Sequence, residues 1–116
     1  MEIRAISPRA SVTGQLHPDD LGEIARLGFV AIFNDRPDNE EPGQPASNQL
    51  AEAAASLGLD YFHIPIVPGK MTDADARALG QALTKIDRPV LGFCRTGKRA
   101  EDLWRRACEL GLVHNQ

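Results

Sequence analysis

The chain has 116 residues, is 42% hydrophobic and 25% charged, and carries a formal net charge of −3. That length supports one domain, residues 1–116, with its own hydrophobic core and no need of a disulfide framework or structural metal. The acidic balance gives no general reason to bind nucleic acid or an anionic membrane surface, and no apolar run approaches the roughly 20 residues of a membrane span. Met1-Glu2-Ile3-Arg4 lacks the layout of a signal peptide, and two cysteines, Cys94 and Cys108, fit a reducing, cytoplasmic setting.

Ile3–Ile6 and Ser11–Thr13 read as short strands of a hairpin around Ser7-Pro8-Arg9-Ala10. His17-Pro18-Asp19-Asp20 opens a helix whose apolar positions Leu21, Ile24, Ala25 and Leu27 fall at helical spacing, stopped by Gly28. Phe29–Phe33 is an apolar strand, and the polar, proline-bearing stretch Asn34–Pro45 is a loop. Ser47 is placed to cap an alanine-rich helix through Leu57 that ends at Gly58; Tyr61–Ile66 follows as a strand and residues 67–70 as a turn. Thr72-Asp73-Ala74-Asp75 forms a near capping box for a helix to about Ile86, broken by Asp87-Arg88-Pro89. Val90–Phe93 is the next apolar strand, and Ala100–Leu110 the last helix. Strands with little apolar alternation, separated by helices, predict a three-layer α/β domain: a mainly parallel central sheet flanked by helices.

The chemistry concentrates at the end of the last strand, in Cys94-Arg95-Thr96-Gly97-Lys98-Arg99. A strand that delivers a thiol to a glycine-bearing loop at a helix start places the sulfur among inward N–H groups and a positive dipole end. That setting favours a low-pKa nucleophile beside an anion site, provided solvent can reach the sulfur. Gly97 lets the loop turn, and Arg99 is placed to hold an oxyanion through two nitrogens. Arg95, Thr96, Gly97 and Lys98 are expected to bind substrate with it, and Arg36, after a strand, to contact the substrate or brace the loop. Cys108, at helical spacing near Leu103, Trp104 and Ala107, reads as core, and His63 as a hydrogen-bonded strand residue. Asp73 reads as a helix-terminal charge, leaving Asp35 and Asp38 as candidate acids near the thiol. No cluster has metal-ligand spacing, and neither a metal nor a cofactor is expected.

Two families use such a loop. Protein tyrosine and dual-specificity phosphatases carry Cys-x5-Arg around a phosphate; rhodanese-type sulfurtransferases carry a shorter, six-residue loop. Here four residues separate Cys94 from Arg99, and the Cys-x5-Arg position is Ala100, so the loop length resembles rhodanese. The rest of the chain does not. Ile6–Gln15, the stretch Leu27–Arg36 and Tyr61-Phe62-His63-Ile64-Pro65-Ile66 look like the opening of a dual-specificity phosphatase. Together with Asn34-Asp35-Arg36-Pro37-Asp38 and Glu41-Pro42-Gly43-Gln44-Pro45, they are similar to the beta-lactamase-hydrolase-like phosphatase-like family, domain of unknown function 442. The resemblance covers nearly the whole chain. It implies a phosphatase-like fold and association with sulfur transfer, since the family is often fused to a persulfide dioxygenase.

A dual-specificity phosphatase has an aspartate after its Tyr-x-His-Ile-Pro strand, whereas Ile66-Val67-Pro68-Gly69-Lys70 holds no carboxylate. Loss of a general acid costs ester cleavage about 10²–10⁴-fold, while sulfite leaves a sulfane donor without needing a proton. The sequence therefore predicts a sulfurtransferase: Cys94 takes the outer sulfur of thiosulfate or a small persulfide and passes it to a thiol such as glutathione. A separate persulfide dioxygenase is then an expected partner. The alternatives are a phosphatase working through a phosphocysteine, and a non-catalytic module that binds anions or persulfides.

Overall fold

Val90–Phe93 forms strand β5, the centre of the sheet, and all four residues are buried. A strand buried on both faces must be covered on both, and it is. The computed structural model, which describes residues 1–114, has a five-stranded sheet in the order β1-β2-β5-β3-β4. Strands β2 (Ala10–Thr13), β3 (Ala31–Asn34) and β4 (Asp60–His63) run parallel to β5 or to one another. The two-residue β1 (Arg4–Ala5) closes one edge antiparallel to β2.

Helices α3 (Asp73–Ala82) and α4 (Lys98–Glu109) lie against one face, where Val12, Phe33 and Val90 meet Leu79, Leu103 and Trp104. Helices α1 (Leu21–Arg26) and α2 (Ser47–Ser56) cover the other, where Ile32, Leu91 and Phe93 meet Leu21, Ile24, Leu50 and Ala54. This is the expected three-layer α/β arrangement. On α4 the buried residues Ala100, Leu103, Trp104 and Ala107 repeat at i, i+3, i+4 and i+7, the stripe that seats a helix on a sheet. Among the described residues, no helix is long and apolar enough to cross a membrane.

The boundaries move where local chemistry overrides apolarity. The expected strand Phe29–Phe33 is shifted to Ala31–Asn34, and Tyr61–Ile66 ends at His63; Ile64 and Ile66 then bond the carbonyls of Asn34 and Asp35 outside the ladder. Ser47 is not the cap of α2 but its first residue. Asp38 accepts its N–H at 2.8 Å, the Gln49 side chain accepts the N–H of Ala46 at 3.0 Å, and the Ser47 hydroxyl meets Tyr61 instead. Thr72 does cap α3, which stops at Ala82 rather than Ile86. The last helix begins at Lys98, two residues earlier than expected, so Lys98 and Arg99 are helical and not loop residues.

Because the strands are parallel, the segments after β2, β3, β4 and β5 leave the sheet at one edge. In an open α/β sheet that edge is where sites collect.

Candidate active site

Cys94 follows β5 directly, and its loop is held from below by the segment after β2. The Gln15 N–H donates to the carbonyl of Arg95 at 3.3 Å, and a Cβ on Gly14 would lie 3.0 Å from that same oxygen. Gly97 takes φ +96° beside the carbonyl of Thr13, a conformation that glycine enters with little steric cost. The loop therefore turns tightly over two glycines, and the Gly97 N–H points back at Cys94 Sγ, 3.1 Å away. Gly97 also sits at the N-terminus of the 12-residue α4, so the dipole favours negative charge here.

The sulfur is covered in this conformation: Cys94 is 1% exposed. The sequence reading required a thiol that solvent can reach, and this conformation does not meet that requirement. Outside the loop a cleft of about 470 Å³ is lined by Arg36, Arg95, Lys98 and Arg99, with Glu40, Glu41, Pro68 and Thr96. A somewhat larger open groove of about 510 Å³ also borders Thr96, but its one side-chain cation, Arg4, is bonded to Glu101. The cation-lined cleft is the one suited to an anion.

Arg99 is the most constrained of those cations. Its Nη1 donates to Glu40 Oε2 at 2.7 Å and to the carbonyl of Ile66 at 2.9 Å, and its Nη2 donates to Glu40 Oε1 at 3.0 Å. A guanidinium has five N–H donors. Among the described residues three are used by these contacts, which leaves the Nε–H and one Nη2–H, the edge that can take two oxygens of one anion. Glu40 raises the Arg99 pKa most, burial opposes it, and Cys94 adds to the rise. In turn Arg99 holds the Glu40 carboxyl below the usual carboxylate range, against burial and with help from Arg36.

The other expected substrate contacts divide. Arg36 borders the cleft but is buried, with its side chain 1% exposed, and bonds Glu40, Glu41 and Gln15, contacts that brace the loop after β3. His63 bonds the carbonyl of Arg36 at 2.9 Å. Arg95 and Thr96 are exposed at the cleft, the Thr96 hydroxyl accepting the Lys98 N–H at 3.3 Å. The Lys98 amine is directed along α4 to Asp102 at 2.7 Å. Asp73, in the first turn of α3, is paired with Arg106.

Of the two candidate acids, Asp38 is spent on the N-terminus of α2. Asp35 is 0% exposed, and neither carboxylate oxygen has a partner among the described residues. Burial foremost, then the charges of Cys94 and Asp75, push its pKa well above the ordinary aspartate value, with Arg99 opposing. Sequence reasoning missed Glu40. A Glu in a polar loop carries no periodic signal, and only the tertiary contact with Arg99 reveals its role.

Residues 2–110 match the family model described as beta-lactamase hydrolase-like protein, phosphatase-like domain. The chain belongs to that family. Its relative in Agrobacterium fabrum, a beta-lactamase hydrolase-like protein, is 38% identical over 104 residues, covering 90% of this chain and 24% of the relative. The chain thus spans about a quarter of the curated relatives it matches. Among solved structures, a candidate phosphatase from Neisseria meningitidis superposes with TM-score 0.81 at 34% identity, covering 94% of this chain and 79% of that one. Tk-PTP in its active form, at TM-score 0.64 and 17% identity over 93% of this chain and 81% of its own, shares the fold. The phosphatase-like fold and family expected from the sequence are both present.

Proposed function

We propose that this domain is a cysteine-dependent phosphatase acting on a phosphate monoester, with Cys94 as nucleophile and Arg99 as the oxyanion clamp. The free Nε/Nη2 edge of Arg99, locked from behind by Glu40 and Ile66, carries the reading. The phosphatase-like family and fold support phosphoryl transfer over the sulfur transfer that loop length suggested. In the reaction the sulfur attacks phosphorus, an S–P bond forms, and the P–O bond to the alcohol breaks. The departing oxygen takes a proton from solvent water, and a second water then cleaves the S–P bond to release phosphate and the thiol.

The covered sulfur makes one conformational demand. Sγ, which the Gly97 N–H now bonds, must become accessible before the phosphorus of a substrate can meet it. Hydrolysis of an aryl phosphate should be saturable in the intact domain and fall to background in Cys94→Ser. Turnover that survives that substitution contradicts the reading.

Sulfur transfer is the second reading, favoured by the four-residue spacing of Cys94 and Arg99 and the carboxylate-free segment 66–70. In that case thiosulfate loads one sulfur onto Cys94, sulfite departs, and a thiol acceptor such as glutathione or the substrate thiol of a separate dioxygenase removes it. Thiocyanate formation from thiosulfate and cyanide, with no aryl phosphate hydrolysis, selects it.

A further inference from the structure

We propose that Asp35 is a charge gate on the nucleophile: a carboxylic acid kept neutral beside Cys94, so that the sulfur and not the carboxylate carries the site's negative charge. The inference rests on Cys94 being the nucleophile, and it holds for phosphoryl or sulfur transfer alike.

Backbone geometry fixes the placement. Asn34 pairs with Phe93 across β3 and β5, and the same parallel register puts Asp35 level with Cys94. The Asp35 N–H donates to the carbonyl of Phe93 at 2.9 Å, and its own carbonyl accepts the Ile66 N–H at 3.0 Å. The residue is thus pinned between the cysteine loop and the segment that holds Arg99. Its side chain is fully buried and both oxygens lack a hydrogen-bond partner among the described residues. An ionised carboxylate left that way is costly, so the group takes a proton instead.

Among the described residues Arg99 alone opposes that cost, and only in part. The charged and titratable groups that act on Asp35 are Cys94 after β5, Arg99 on α4 and Asp75 on α3. Two of these are acidic, and Arg99 already shares its charge with Glu40. A carboxylate at Asp35 is therefore disfavoured, by burial first and by the neighbouring sulfur second. While Asp35 is protonated, the site's negative charge is available to the sulfur. As pH rises through the Asp35 pKa the gate ionises and the site loses activity.

The test combines a structural and a kinetic measurement on the intact domain. Carboxyl-carbon NMR should show Asp35 protonated at neutral pH in wild type, and titrating at lower pH in Cys94→Ser, where no thiolate repels it. An Asp35 already ionised at neutral pH, or one whose titration is the same in both proteins, overturns the gate. Turnover of an aryl phosphate, and of thiosulfate with cyanide, should fall on the alkaline side in wild type and hold its plateau there in Asp35→Asn. Superimposed profiles also overturn it, as does a folded Asp35→Asn inactive at neutral pH, which would make Asp35 the proton donor instead. If neither donor is turned over by wild type, the proposed activity fails while the NMR titration still decides the gate.

Discussion

Glu40 organises the site although it bears none of the chemistry. Its two oxygens hold both terminal nitrogens of Arg99 while Oε1 also accepts Arg36 Nε at 2.7 Å, so one carboxylate fixes two guanidinium groups. Such clamps position a reacting ion, and small misplacements cost rate steeply. Glu40→Gln should lower kcat/KM for the anionic donor roughly 10- to 100-fold by loosening Arg99. Thiol alkylation at Cys94 should proceed about as in wild type. Unchanged kcat/KM would show that Arg99 needs no clamp. Cys94 and Arg99 are legible in the sequence because their spacing and their place between strand and helix are local properties. Whether Arg36 meets substrate or braces the loop is open at that level, and its three side-chain contacts favour bracing.

At the scale of elements, β5 carries a constraint its sequence shows only as an odd glycine. A Cβ on Gly92 would lie 2.3 Å from Phe33 Cζ, so the ring of β3 occupies the space a side chain would need. Gly92→Ala should cost about 3 kcal/mol, the upper part of the range for overpacked cores, measured by chemical denaturation. A loss below half that would mean that Phe33 swings aside freely. The order of elements and the covered sheet are readable because continuous apolar runs have few other solutions in a chain of this length. The ends of elements are not. Helix α4 starts at Lys98 because Gly97 adopts positive φ and ends the loop, and α2 is capped through Asp38 and Gln49, contacts that no pattern of apolar residues encodes.

Over the whole molecule, the two carboxylates of the site bend the pH dependence of stability in opposite directions. Glu40 is lowered by its hydrogen bond to Arg99, so its contribution is present above the unfolded carboxylate range and is lost as pH falls through its folded pKa. Asp35 is raised by burial, so the folded state is penalised from the unfolded aspartate range upward, until pH passes the folded pKa. Thermal melts across pH should therefore show a shallower acid loss in Glu40→Gln and a shallower loss toward neutral pH in Asp35→Asn. Parallel curves for wild type and both variants would contradict the assignment. The surface pairs Arg106–Asp73 and Arg105–Glu101 are exposed and salt-screened, and are expected to add little to either trend.

All of this chemistry requires that the transferred group reside for a time on Cys94 sulfur. Intact-protein mass measured after a rapid acid quench with an aryl phosphate tests that most directly. A single phosphoryl adduct on Cys94, absent from Cys94→Ser and chased off by water, is the predicted result. Steady hydrolysis with no adduct on wild type, or an adduct that survives in Cys94→Ser, would contradict the account.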